Sequence, residues 1–494
     1  MRLSKLVNAL EYAEIVFRGE DWEREIGELS ADSRIKAQNS LFVCLCGGSV
    51  DSHEHATDAV ENGAVAVITQ KRLPVSVPQV LVKDARVALA ILASVFYGEP
   101  SKRLKVIGIT GTNGKTTTSH MLASILEEAG KKVGVIGTLG VRYARKNFRA
   151  ELTTPDPIAL QRTLADMLLC GVEYAVMEVS AHALFYQKTA GVRFSACIFT
   201  NFTQDHLDFF HTMSAYRQAK LGLFSPEICP LAIVNGDEET GREISRIREN
   251  TNGTKTVLYG LNTPSDCFAI VTDESINGSE CMLNINDKLC RISLKMTGRH
   301  NIYNALAAAA CAVELGITAK SVEAGLSNIH GVCGRLEKTA VFRGAEIFID
   351  FAHTPDGLGK SLDALRKHCK GRLVCLFGCG GNRDKTKRPI MGETAARKAD
   401  FTVLTSDNPR YEDPLDIISD IEKGYRRFSS RFVIVPDRKK AVDYALDYLK
   451  SGDILLVAGK GGEDYQEIMG IKYPFDDHDI IGKLLEQKGK NPLS

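Results

Sequence analysis

The chain has 494 residues, 44% of them hydrophobic and 25% charged, too many for one ordinary core and apolar enough to bury several. Its 62 basic and 61 acidic side chains leave a net charge of +1. This balance excludes a general attraction to nucleic acid or an anionic membrane, so an anionic ligand needs a local site.

The opening MRLSKLVNALEYAEIVF has acidic residues among its apolar positions and no continuous signal-peptide core, and no later run is long enough to span a bilayer. Cys44 and Cys46 are one residue apart in the intervening sequence, and Cys375 and Cys379 three, so there is no C-x-x-C pair. The cysteines read as reduced core residues of a cytoplasmic protein. The expected fold class is α/β in three domains: 1–102, 103–332 and 333–494, with junctions near FYGEPSKRL and NIHGVCGRLE. The first is a smaller α/β unit. The second is a P-loop-type, parallel-sheet ATPase domain. In it VIGIT is a strand, GTNGK a Gly-rich turn, Thr116–Ala129 a helix and VGVIG the next strand, followed by YAVMEVS, ACIFTNF and LAIVNGD. The third domain runs through EIFIDFA, RLVCLFG, FTVLTSDN, RFVIVPD and DILLVAGKG with helix-length connections, the pattern of a doubly wound, Rossmann-like sheet.

GITGTNGKTTT (108–118) is the sharpest local signal. Glycines let backbone N–H groups face a phosphate at the positive end of a helix, Lys115 adds a point charge, and Thr116 offers a hydroxyl to Mg²⁺. Ile109 stands where the strict G-x-x-x-x-G-K-T spacing needs its first glycine, so the loop is a variant. Glu178 and His206 each follow a predicted strand of this domain and are candidate metal ligands, although Mg²⁺ prefers oxygen and a lone histidine is more often structural. Lys220 in YRQAK reads locally as a solvated helix lysine. Asn301 and Asn304 share a helix face, and capping near Asn301 is the simpler reading.

Further along stand LTTPD, MEVSAHAL, TNFTQDHLDFFHT, GRHNIYNALAA, GRLE, DFAHTPDGL, GCGGNRDKTKRP, TSDNPRYEDP and AGKGGEDYQ. With TGTNGKTTT this ordered string, covering nearly the whole chain, resembles the Mur ligase family. The resemblance implies an ATP-dependent amide ligase of cell-wall precursor synthesis. It would join meso-diaminopimelate, through an acyl phosphate, to the D-glutamate γ-carboxylate of UDP-MurNAc-L-Ala-D-Glu. A monomeric cytoplasmic enzyme with Mg²⁺ is implied, without nucleic-acid partner or membrane insertion.

Site residues follow from the same resemblance. Gly111, Thr112, Asn113, Gly114, Lys115, Thr116 and Thr117 would hold ATP, with Asn301, Asn304, Arg335 and Asp350 around the nucleotide. Lys115, Glu178, His206 and Lys220 would be catalytic, and Thr116, Glu178, His206 and a carbamylated Lys220 would surround metal. Ser33, Gly48, Ser49, Val50, Thr153, Thr154, Ser180 and Lys188 would bind the UDP-sugar dipeptide. Arg383, Asp407, Asn408, Pro409, Arg410, Gly459 and Glu463 would bind diaminopimelate. Arg410 discriminates, since a guanidinium clamps the distal carboxylate in a fork; locally, an ion pair with Glu412 or Asp413 is the simpler reading. His182, His211 and His353 read as residues that pack or that support the groups touching the ligand.

Ala181, Tyr186, Lys188 and Gly462 depart from the family pattern, where serine, glutamine, arginine and histidine are usual. Three other readings stay open: a sister ligase adding lysine or acting on folate-like substrates, a P-loop kinase, and a nucleotide-binding scaffold without activity.

Overall fold

The computed structural model describes residues 1–10, 14–16, 20–47, 50–249 and 251–489. Its contacts divide the chain into two compact units, the first from Met1–Gly108, Lys131–Cys197 and Ser225–Pro230, the second from Ile109–Gly130, Ile198–Phe224 and the chain from Leu231 onward. Strands Lys105–Thr110 and Phe194–Phe199 each contribute residues to both.

The first unit opens with a five-stranded sheet in the order Glu14–Ile15, Gln79–Leu81, Ala64–Thr69, Ser40–Val43, Glu28–Ser30, parallel except at its first pair. Helix Ala85–Phe96 is capped by Asp84, whose carboxylate accepts from the Arg86 and Val87 amides, and its apolar face buries Leu89 and Leu92 against Leu41, Ile68 and Val80. The same unit holds the consecutive neighbours Tyr174–Glu178, Val133–Gly137, Gly140–Tyr143 and Lys146–Phe148, which follow Phe194–Phe199 and Lys105–Thr110 in the strand order.

In the second unit, helix Lys115–Glu128 packs against helices Arg299–Glu314 and Ala319–Asn328. Beside them strands Leu231–Asn235, Lys255–Gly260 and Cys267–Ser275 run parallel, but Gly278–Ile285 and Lys288–Leu294 return antiparallel. The sheet is therefore mixed, where uniformly parallel strands were expected. The cause is local. Gly278–Ile285 and Lys288–Leu294 alternate buried and exposed residues, the signature of a one-sided sheet. They are joined by Asn286 and Asp287 at φ 48° and 64°, the two-residue turn that matches strand twist.

The last sheet has the order Glu337–Phe342, Ala345–Asp350, Ile454–Ala458, Leu373–Phe377, Phe401–Leu404, Phe432–Ile434. All five strands read from the sequence are present and parallel, and Glu337–Phe342 adds an antiparallel edge. Helices cover both faces in two separate apolar layers. Arg438 and Asp477, both fully buried, pair at 2.7 Å, and Arg438 also donates to the Ala458 carbonyl, which fixes the strand end leading to Gly459. Breaking such a pair costs about 3–5 kcal/mol, because the remaining charge is stranded.

The junction into this sheet is tied to helix Asp477–Gln487. His478 Nε2 lies 2.9 Å from Glu337 Oε2 and its Nδ1 3.1 Å from Asp476 Oδ1. Burial opposes a charge on this imidazole, but the hydrogen bonds to the two carboxylates overcome it and raise its pKa to about 10. The stabilisation is complete below the unfolded-state value of 6.5 and disappears as pH rises through about 10. His478→Gln is therefore expected to cost about 2 kcal/mol near pH 6 and almost nothing above that upper limit, read from urea midpoints with a chelator present. A deficit that does not depend on pH would refute the charge pairing.

Candidate active site

The phosphate loop sits where strand Lys105–Thr110 turns into helix Lys115–Glu128. Gly111 (φ +146°) and Gly114 (φ +86°) take backbone angles that favour glycine. A Cβ on Gly111 would meet Thr200 Oγ1 at 1.9 Å, and one on Gly114 would meet Asn304 Oδ1 at 2.4 Å, so neither position has room for a side chain. The loop is clamped from the TNFT stretch: the Thr112 amide donates to the Asn201 carbonyl, the Asn113 amide to Asn201 Oδ1, and Thr200 Oγ1 to the Asn113 carbonyl. The first-turn amides of the helix point their positive ends to the loop side. Lys115 Nζ donates to the carbonyls of Gly111 and Thr112 at 2.8 Å each, which holds its ammonium over the loop.

Thr116 and Thr117 are buried, and Thr116 Oγ1 accepts from the Arg335 guanidinium at 2.9 Å. That guanidinium stacks 4.2 Å from the Phe351 ring centroid. Asp350 is buried, accepts from the Leu336 amide and Ser361 Oγ, and has its pKa raised by burial. Asn301 and Asn304 bond to each other at 3.3 Å. Asn301 donates back to the Thr297 carbonyl and so is no N-cap, while Asn304 Oδ1 accepts from Thr118.

Lys220 is not a solvated lysine. It is 2% exposed, its Nζ donates to the Gly111 carbonyl at 2.8 Å, and it lies 4.6 Å from the Tyr216 ring centroid. Burial, then the charge of Lys115, pushes its pKa well below the ordinary lysine value. A neutral, desolvated amine is the form that attacks CO₂. Conversion to a carbamate would also replace a cation beside Lys115 with an anion.

His206 (φ +56°) faces Asp205 Oδ2 at 3.4 Å. Asp205 in turn pairs with Lys387 at 3.1 Å, both side chains nearly fully buried, and with His353 Nε2 at 3.5 Å. Burial works against the Asp205 charge, but Lys387 and the two imidazoles hold its carboxyl well below the usual range. Asp205 and Lys387 escaped the sequence reading, and His353 takes the supporting place that was one of the two open to it. No local pattern joins residues 182 positions apart.

Beyond the carboxyl ends of the last sheet, four segments converge. Asn408 Nδ2 donates to Glu463 Oε2 at 2.9 Å, and Lys460, fully buried, reaches both Asn408 Oδ1 and Glu463 at 3.1 Å. Lys460 is a second group missed from sequence. Asp407 is buried, and Gly459 must lack a Cβ because one would meet Asp407 Oδ2 at 2.5 Å. The Pro409 carbonyl leaves no space for a side chain at Gly381. Arg410 Nε bonds Glu467 at 3.1 Å and its Nη1 the Gly381 carbonyl, so its acidic neighbour is Glu467, while Glu412 pairs with Arg388 and Lys385. Arg383 lines an open cavity of about 620 Å³ with Asp208, His211 and Lys385. Burial, then the charge of Arg410, lowers the Arg383 pKa, so the two guanidiniums lie close enough to repel. Such a pair favours a carboxylate between them.

In the first unit, Glu178 is 1% exposed and accepts from the Thr138 amide and hydroxyl. Thr153 Oγ1 meets Thr138 Oγ1 at 3.1 Å, Thr154 Oγ1 donates to the Glu178 carbonyl, and Ser180 caps helix Ala181–Phe185. These groups therefore cluster, and Lys188 pairs with Asp156 at 2.6 Å. Ser33 lies near the end of strand Glu28–Ser30, its carbonyl accepting from Asn62, and Val50 is exposed. Gly48 and Ser49 lie outside the described residues.

In the second unit the Thr116 hydroxyl and a Lys220 carbamate are oxygen donors of the kind Mg²⁺ prefers, and in the first unit the buried Glu178 carboxylate is another. An unmodified Lys220 offers no acceptor, and His206 supplies only nitrogen.

The Mur ligase middle domain family matches residues 109–312, and the Mur ligase glutamate ligase domain matches 334–461. A UDP-N-acetylmuramoyl-L-alanyl-D-glutamate–2,6-diaminopimelate ligase from Syntrophomonas wolfei is 41% identical over 98% of this chain and 100% of its own. One of the same name from Geobacillus thermodenitrificans is 40% identical over 94% and 96%. A solved structure of a ligase of that name is 29% identical, with a TM-score of 0.70, over 96% of this chain and 98% of that one. With both domains matched and relatives similar along almost their full length, the chain belongs to the Mur ligase family.

Proposed function

We propose that this chain is an ATP-dependent ligase that joins meso-diaminopimelate to the D-glutamate γ-carboxylate of UDP-MurNAc-L-Ala-D-Glu. The names of its near full-length relatives support the reaction. The observation that carries the choice of amine is the mutual repulsion of Arg383 and Arg410, two guanidiniums suited to an amino acid with a second carboxylate, with Asn408 and Glu463 bonded to each other at the strand ends.

ATP lies with its phosphates along Gly111–Thr117, Asn301, Asn304, Arg335 and Asp350 around it. The substrate carboxylate oxygen attacks the γ-phosphorus, ADP leaves, and an acyl phosphate forms. The neutral amine then attacks the carbonyl carbon, the amide forms, phosphate leaves, and the amine's proton is lost. Lys115 and Arg335 counter the negative charge that spreads over the transferring phosphoryl group. Mg²⁺, held by Thr116, Glu178 and carbamylated Lys220 with His206 nearby, would supply further charge neutralisation. The link from Arg335 to Thr116 closes the loop side, as an acyl phosphate requires if water is to be kept away. Ser33 and the 48–50 stretch would take the uridine, and Thr153, Thr154, Ser180 and Lys188 the diphosphate and muramoyl portion. The proposed domain limits remain 1–102, 103–332 and 333–494. ATP and a UDP-linked precursor are cytoplasmic, which supports a cytoplasmic enzyme, and the enzyme is proposed to be a monomer.

The test is phosphate release with MgATP and UDP-MurNAc-L-Ala-D-Glu in the presence of meso-diaminopimelate, L-lysine or no amine, with products identified by mass. Turnover with diaminopimelate alone is expected. Turnover with lysine would overturn the pocket assignment, and amine-independent release without tripeptide would overturn the ligase.

A further inference from the structure

Beside Arg335, a thiol, a carboxylate and an imidazole converge at the start of the last sheet. Cys333, Glu337 and His478 each direct one ligand atom into a space where all three lie within 4.8 Å of one another. Cys333 is exposed, Glu337 opens strand Glu337–Phe342, and His478 stands in the first turn of helix Asp477–Gln487. We propose that these three side chains form a binding site for a zinc-type divalent cation, with Asp476 orienting the imidazole.

The tautomer supports this. Nδ1 of His478 is 3.1 Å from Asp476 Oδ1, so the proton retained there faces a carboxylate, while the proton on Nε2 faces Glu337 at 2.9 Å and is the one a cation would displace. A metal-bound histidine that gives its other N–H to a carboxylate has this arrangement. Tetrahedral zinc, with bonds of about 2.0–2.3 Å to nitrogen, oxygen and sulfur, needs ligand atoms roughly 3.3–3.8 Å apart, so modest shifts suffice. Binding releases the thiol proton and the Nε2 proton, and exchange of two protons for one divalent ion leaves the charge of the cluster unchanged. The fourth position opens to solvent on the Cys333 side.

A second cluster of similar composition makes an instructive contrast. Cys46, Asp51 and His53 also lie within 4.8 Å of one another. There, however, His53 Nε2 accepts the Gln70 amide at 3.2 Å, so Nδ1 carries the proton and points it at Asp51. A metal at that Nδ1 would require an imidazole stripped of both protons or a broken backbone bond. Of these two clusters among the described residues, only that of 333, 337 and 478 turns its second ring nitrogen to a candidate ligand and not to a backbone amide. Its ligands flank Arg335, whose guanidinium bonds Thr116, so an ion here would pin the segment that reaches the phosphate loop.

The full chain, stripped with chelator and held in saturating Mg²⁺, is titrated with Co²⁺ and then Zn²⁺. One thiolate-to-cobalt charge-transfer band, bleached by one equivalent of Zn²⁺, is expected. Cys333→Ser, at an exposed position that should leave the fold intact, removes the band, and Cys46→Ser keeps it. Asp476→Asn preserves a helix cap but weakens Zn²⁺ binding about 10–100-fold. Absence of the band, its survival in Cys333→Ser or its loss in Cys46→Ser overturns the site, and unchanged affinity in Asp476→Asn overturns the orienting role.

Discussion

Lys220→Arg is expected to lower kcat by about 10³-fold, the scale lost when a preorganised charge is removed from a transition state. Arginine keeps a donor for the Gly111 carbonyl, now made by Lys220 at 2.8 Å, but its guanidinium does not lose its proton and cannot take up CO₂. The native amine, buried and beside Lys115, has its pKa pushed well down and is ready to do so. Intact mass of the native chain should therefore show one added CO₂ that acid removes, and activity should fall in CO₂-free buffer and recover with bicarbonate. A variant that turns over at the native rate, with an unaltered melting temperature, would show that Lys220 acts only by packing against Tyr216.

Arg410→Lys is expected to lower kcat/KM for meso-diaminopimelate roughly 10–100-fold, the worth of one charge-assisted hydrogen bond of about 1.5–3 kcal/mol. Lysine keeps the charge but not the planar fork. Arg410 is already positioned by Glu467 and the Gly381 carbonyl, so its unused donors are aimed rather than mobile. The KM for ATP should stay within about twofold, since the nucleotide groups lie on other segments. Equal losses for diaminopimelate and ATP would point to a structural role, and no loss would move the carboxylate clamp to Arg383.

Much of this protein is determined by local sequence. The strand, Gly-rich turn and helix of 105–128 are written in apolar runs, in glycines at positive φ and in the order of the motif. The five parallel strands of the last sheet are equally plain, because uniformly apolar strands with helix-length connections admit few topologies. The mixed character of the middle sheet was legible too, in the alternation of 278–294 around Asn286 and Asp287.

The tertiary structure decided the rest. Burial of Lys220 against the Gly111 carbonyl, 109 residues away, pushes the pKa of an ordinary helix lysine well down. Arg335 reaches Thr116 across 219 residues and Lys387 reaches Asp205 across 182. Arg410 takes Glu467, not nearby Glu412, as its partner. Residue type and spacing set backbone geometry because those forces act within a few residues. Desolvation and charge pairing depend on which distant groups share a low-dielectric space, and only the folded chain brings them together.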